Sequence, residues 1–236
     1  MHVSGFQRYL DDLTRQGIDR RTSRLSRLNE SLLLDLMRFE RDGRQTELLE
    51  VVAACVRHAR PLAIYLQHND RVIPLTLFPL ERLAHCPLPM HEFLALPLAQ
   101  LVVMRVEPAV LSSPDDPQAG MVAHRQWYQP LGPVTWDFAM RGSREQLLPE
   151  IAGIAAYRIA AGNHLREVAM SGVARAAVHR LQRRNANLRE IAHWAGLNRG
   201  SAMRLLNALY LQGSLIISRT APSASNDSLF GSITRF

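Results

Sequence analysis

The stretch from Asn187 to Ser218 constrains this chain most, because it spells out two helices, the turn between them and a following strand. Asn187 and Glu190 have capping-box spacing: the Asn side chain accepts from the Glu190 backbone N–H while the Glu190 carboxylate reaches back to the cap. Leu188, Ile191, Ala192 and Ala195 are the apolar positions of that first helix. Gly196 follows where a chain turning sharply out of a helix needs a left-handed residue, and Asn198 is placed to cap the next helix. In that second helix Ala202, Leu205, Leu206 and Leu209 recur at helical spacing and form an inward face. The same angular step turns Gly200, Arg204, Asn207 and, on the flank, Met203 outward. Gly213 ends the helix, and Leu215 to Ile217 is a β-branched run suited to the first strand of a wing, with Arg219 at its tip or base.

An outer helix face carrying a Gly, an Arg and an Asn suits close approach to a duplex, since Arg pairs bidentately with guanine and Asn with adenine. The segment resembles the winged helix-turn-helix of bacterial regulators, and the run Glu190-Ile191-Ala192, Gly196-Leu197, Ala202, Leu205-Leu206 is similar to the IclR type. The resemblance covers about residues 172 to 219. In those regulators the domain usually stands at the N-terminus, so its place here points to a different family using the same module. The resemblance implies that the second helix reads the major groove. Base-reading candidates are therefore Asn198, Arg199, Gly200, Ser201, Met203, Arg204 and Asn207.

Charge is distributed to match. Residues 1–163 hold 18 Arg and 18 acidic residues, whereas 164–236 hold 10 Arg against Glu167, Glu190 and Asp227, so the whole-chain net charge of +7 belongs to the C-terminal part. Arg175, Arg180, Arg183 and Arg184 lie on the helix before the motif. With Arg219 they are the phosphate-binding candidates, able to supply sequence-independent affinity. The chain has no Lys, which we read as compositional bias; guanidinium groups nonetheless favour bidentate pairing with phosphates and bases.

The N-terminal half reads as a separate body. From Thr22, Leu25, Leu28, Leu32, Leu36 and Phe39 mark one helical face, ended by Asp42-Gly43, which packs either on the chain's own core or on a dimer or partner surface. A helix from about Gln45 to His58 is closed by Pro61, with Cys55 on its apolar face as a core residue rather than a reactive thiol. Strands are expected at Leu62–Gln67 and Arg71–Phe78 around the turn His68-Asn69-Asp70, with Pro74 favouring an edge. A short helix at Leu80–His85, another piece at His91–Leu96, a strand at Leu98–Val106, an exposed loop from Ser112 to Gly120, strands at Val122–Gln129 and Val134–Arg141, and a helix from Ser143 to Ala161 complete the expectation. That order of elements resembles roadblock/dynein-light-chain domains, and a PAS-like or GAF-like sensor would also use a central antiparallel sheet. Trp127, Tyr128, Trp136 and Phe138 fall in one expected hairpin, as core or as the wall of an apolar pocket.

The expected fold class is thus α+β, an N-terminal α/β sandwich with a central antiparallel sheet followed by a C-terminal winged helix domain. Its divisions are a helical arm (1–43), a roadblock-like or sensor-like α/β domain (44–163), the winged helix-turn-helix domain (164–220) and a flexible tail (221–236). No phosphate loop, nucleophile elbow or zinc-protease His pair occurs, so no catalytic residue, metal or cofactor is expected and the chain is not read as an enzyme. His85, Cys86 and His91 sit in a Pro-rigid loop but lack a second ligand segment. No apolar run is long enough to span a bilayer and the N-terminus lacks a signal-type apolar core, which with two cysteines points to a cytoplasmic bacterial protein that engages no membrane. The reading is a DNA-binding transcriptional regulator, a homodimer on double-stranded DNA, whose α/β domain dimerises, senses or binds a protein partner. The alternative is a non-enzymatic assembly or scaffold protein in which both domains bind protein partners.

Overall fold

The structure is a computed structural model that describes residues 2, 31, 32, 34, 47–115, 121–160, 162 and 165–220. The expected helical arm therefore lies outside the described residues except for Ser31, Leu32 and Leu34, of which Leu32 is buried; the tail 221–236 lies wholly outside them. The fold is mixed α+β, and the chain forms two compact units that divide between Arg144 and Glu145. That division lies well before the expected one at residue 163, so the segment 145–160 belongs with the C-terminal unit.

The N-terminal unit runs α1 (Leu48–His58), β1 (Leu62–His68), β2 (Arg71–Phe78), β3 (Leu83–His85), α2 (Met90–Ala95), β4 (Val102–Pro108), β5 (Tyr128–Pro130) and α3 (Leu131–Arg141). Its five strands form an antiparallel sheet in the order β4-β1-β2-β3-β5. The β1–β2 hairpin turns where expected, with Asn69 at φ 51. Pro74 sits beyond Thr76, where the pairing of β2 with β3 ends, so its missing N–H costs no bond to that neighbour. The interior residues of β1 and β2, Leu62, Ile64, Leu66, Leu75 and Leu77, are fully buried. α1 packs on α3, and Phe93 of α2 meets Phe138 of α3 edge to face, with ring centroids 6.0 Å apart. The Arg141 guanidinium donates to the carbonyls of Leu94, in the last turn of α2, and Leu96, just past it. Arg144, mostly buried, pairs with both Glu47 and Glu50 of the first helical turn, tying the end of this unit to its beginning.

Several expected elements differ. Leu80–His85 is not a helix: Arg82 adopts a left-handed φ of 54, and Leu83–His85 forms β3, bonded on both sides by β2 and β5. Leu98–Val106 opens as a 3-10 turn after Pro97, and the strand starts only at Val102. Of Val122–Gln129, Tyr128 and Gln129 alone are in a strand. Val134–Arg141 is helix, not strand. Its β-branched and aromatic residues suggest a strand, but the buried set Leu131, Val134, Thr135, Phe138 and Ala139 has helical spacing, and Thr135 donates back to the Leu131 carbonyl one turn earlier. Of the expected helix Ser143–Ala161, the described residues 143–160 are not helical either. Pro149 and Gly153, the latter at φ 95, interrupt it, and Ala156–Ile159 becomes β6 because it has partners on both sides in the second sheet.

The C-terminal unit continues with α4 (Gly172–Arg183), β7 (Ala186–Asn187), α5 (Leu188–Ala192), α6 (Arg199–Leu211) and β8 (Leu215–Ser218). Its sheet has the order β7-β6-β8, all antiparallel. The run Leu215–Ile217 is a strand as expected, but its described partner is β6, which precedes the helices, rather than a strand that follows. The core gathers Tyr157, Leu181, Ile191, Ala202, Leu205, Leu206 and Leu209, all essentially inaccessible.

Candidate nucleic-acid interface

Both helix starts are fixed by reciprocal caps. Asn187 Oδ1 accepts from the Glu190 N–H at 2.9 Å while Glu190 Oε2 accepts from the Asn187 N–H at 3.0 Å, the pairing read from the sequence. At α6, Asn198 Oδ1 accepts from the Ser201 N–H at 2.9 Å and Ser201 Oγ from the Asn198 N–H at 2.8 Å. Between them Gly196 holds φ +79, and a Cβ there would lie 2.8 Å from Cγ2 of Val173 on α4. The turn thus needs glycine twice over, for its conformation and for the approach of α4.

The candidate base-reading residues separate into three groups. Arg199 is exposed, and Gly200 and Met203 are partly exposed, all within the first turns of α6. A Cβ added at Gly200 would meet only Asn198 Oδ1, at 3.5 Å, so that backbone is open to close approach. Asn198 Oδ1 and Ser201 Oγ are engaged in the cap. Arg204 and Asn207, expected to face outward together, instead face the segment that enters this unit. Arg204 donates to Glu145 at 3.4 Å. Asn207 is fully buried: its Nδ2 donates to the Gln146 carbonyl at 2.9 Å and its Oδ1 accepts from the Leu148 N–H at 2.9 Å. Asn207 is a structural clamp and does not read bases; the helical wheel placed it correctly, but the wheel carries no information on what covers that side.

The phosphate candidates divide as well. Arg180 and Arg184 lie over the Trp194 ring, with their guanidinium carbons 4.8 Å and 5.9 Å from its centroid. Trp194 is buried at the end of α5, so the two cations are held at the flank of the helix pair. Arg183 is exposed between them. Arg175, on the opposite flank of α4, donates to the Met170 carbonyl at 3.4 Å. Arg219, just past the end of β8, donates to the carbonyls of Ala152 and Glu150, at 2.9 Å and 3.2 Å. In the same segment Tyr157 donates to the Ile151 carbonyl at 2.7 Å, and burial raises its pKa against the lowering effect of Arg219. Trp194 and the segment 145–152 are the parts of the site that sequence reasoning missed. A tryptophan beside α5 is visible in the sequence, but its two cations come from α4 and become its neighbours only through packing.

The other chemistry-bearing residues lie in the N-terminal unit, the sheet unit built on five strands. Cys55 is buried and its thiol donates to the Arg60 carbonyl at 3.1 Å; burial pushes its pKa to about 12 and that of Cys86 to about 11. His85 is buried against Tyr128, ring centroids 5.0 Å apart, and desolvation lowers its pKa. His91 is exposed. Among the described residues no three His, Cys, Asp or Glu side chains converge as a metal site would need, and no helix is long and apolar enough to cross a membrane. Trp136, Tyr128 and Phe138 are core residues, but from a helix and a strand rather than from one hairpin. No protein-family model, curated protein or solved structure matches the chain.

Proposed function

We propose that the C-terminal unit is a winged helix that binds double-stranded DNA, and that the chain is a transcriptional regulator whose sheet-bearing unit dimerises or senses. The observation that carries this reading is the conjunction at α5 and α6: two capped helices at a glycine turn, with Arg199, Gly200 and Met203 at the open start of the second and the Arg180, Arg183 and Arg184 group beside the first. The first residues of a recognition helix are those that reach base edges, so covering of Asn207 further along leaves the reading surface in place. Arg199 would address guanine, Met203 the thymine methyl group, and Gly200 would let the backbone come close. Two copies in a homodimer would present these helices to half-sites about one duplex turn apart.

The test is binding of the purified chain to a fluorescent random-sequence duplex at low and moderate salt, beside Arg183→Ala/Arg184→Ala/Arg204→Ala. Each phosphate contact contributes about 0.9 to the log-log salt slope. Loss of Arg183 at the end of α4 and Arg184 at its C-cap is therefore expected to flatten it by about two. A folded wild-type chain that does not bind even at low salt refutes the proposal and directs attention to a protein partner of the sheet unit.

A further inference from the structure

The flank of α4 away from Trp194 closes one side of an open cavity of about 370 Å³, within the range of about 300–1,000 Å³ typical of small-molecule sites. Its floor is apolar, formed by Val168, Met170 and Val178, and its rim carries Arg166, Arg175 and His179, with no carboxylate among the lining residues. Arg175 and His179 are one helical turn apart on α4, so their side chains rise on the same side, while Arg166 comes from the loop that precedes the helix. The Arg175 guanidinium donates to the Met170 carbonyl, which orients it along the cavity wall and leaves further N–H donors for a ligand.

We infer that this cavity binds a small amphipathic anion, a carboxylate or phosphate monoester joined to a compact apolar body. Two guanidinium groups from different segments meet the anionic head in the planar, two-bonded manner that arginine favours. The apolar floor takes the body and supplies the burial that a bare ion cannot. The site is separate from the α6 surface, so ligand binding and duplex binding are measured independently, and failure of one leaves the other standing.

The experiment titrates the full chain with benzoate and with phenyl phosphate, beside benzyl alcohol and inorganic phosphate, and follows the ligands by saturation-transfer NMR. At least one of the two aromatic anions is expected to bind, and Arg166→Gln/Arg175→Gln to weaken it at least tenfold. Arg158→Gln/Arg189→Gln removes the same charge from exposed positions outside the cavity and is expected to leave binding within twofold. Circular dichroism confirms that each variant is folded. The inference is overturned if neither aromatic anion binds, if benzyl alcohol binds as well as they do, or if both double variants lose binding equally. Inorganic phosphate binding as tightly as phenyl phosphate would mean an adventitious ion only, and would overturn it too.

Discussion

Replacing Asn207 separates a structural clamp from a base reader by sign and by size. Its side-chain amide meets two backbone groups of the segment 146–148, each at 2.9 Å, and no part of the residue reaches solvent. Asn207→Ala strands the buried Leu148 N–H, which costs roughly 1–3 kcal/mol, and removes one part-buried hydrogen bond to the Gln146 carbonyl, worth about 1 kcal/mol. The lost side-chain volume adds a cavity term. A total of about 3 kcal/mol is therefore expected, which in a unit of this size lowers Tm by more than about 10 °C. Asn207→Leu restores the volume but neither hydrogen bond, so it should recover only the packing part. The assay is thermal unfolding by circular dichroism, joined to hydrogen exchange in peptides covering 145–155 and 199–211. Both peptides should lose protection in the variants. A stability change under about 0.5 kcal/mol, the usual effect of a surface substitution, would refute the clamp and return Asn207 to the open face of α6.

Gly196→Ala forces a side chain into a left-handed residue at a cost of about 1–2 kcal/mol, and brings its Cβ against Val173. Urea denaturation should show the loss, with Val173→Ala in the same chain relieving only the contact part; no loss in the single variant would mean that the turn is formed differently. Desolvation raises the Glu47 pKa, outweighing the pairing with Arg144. Between the ordinary carboxyl range and that raised value the folded chain holds more protons than the unfolded one, so this group makes stability fall as pH rises through the window. Glu47→Gln should remove that part of the pH dependence, and an unchanged profile from pH titration of stability would count against it. Cys55 and Cys86, with pKa values pushed to about 12 and about 11, stay as buried thiols at mildly alkaline pH. Iodoacetamide should leave both unmodified in the folded chain and label both in urea, as read by mass spectrometry; rapid labelling of the native protein would contradict their burial.

The local grammar of α5 and α6 was legible because capping is a matter of residues three apart. Asn187 with Glu190, Asn198 at its cap and Gly196 at the turn all stand where the sequence places them. The β1–β2 hairpin was legible for a similar reason, since His68 and Arg71 pair across a two-residue turn. α3 reads as a strand because Val134, Trp136 and Phe138 are β-branched or aromatic and alternate at strand period, but Leu131, Val134, Thr135 and Phe138 also recur at helical spacing and are buried in the helix. β3 and β6 were missed because each has three or four residues and is a strand by virtue of neighbours on both sides.

The sequence by itself determined where the helix pair starts and turns and where the positive charge collects, because those depend on contacts within a few residues and on a sum over side chains. Tertiary structure alone decided which face of α6 stays open. The segment 145–148 lies some sixty positions before Asn207, yet two hydrogen bonds bring it over that residue. No periodicity in α6 encodes that cover: a helical wheel fixes the direction of a side chain, whereas exposure depends on what the rest of the chain packs there.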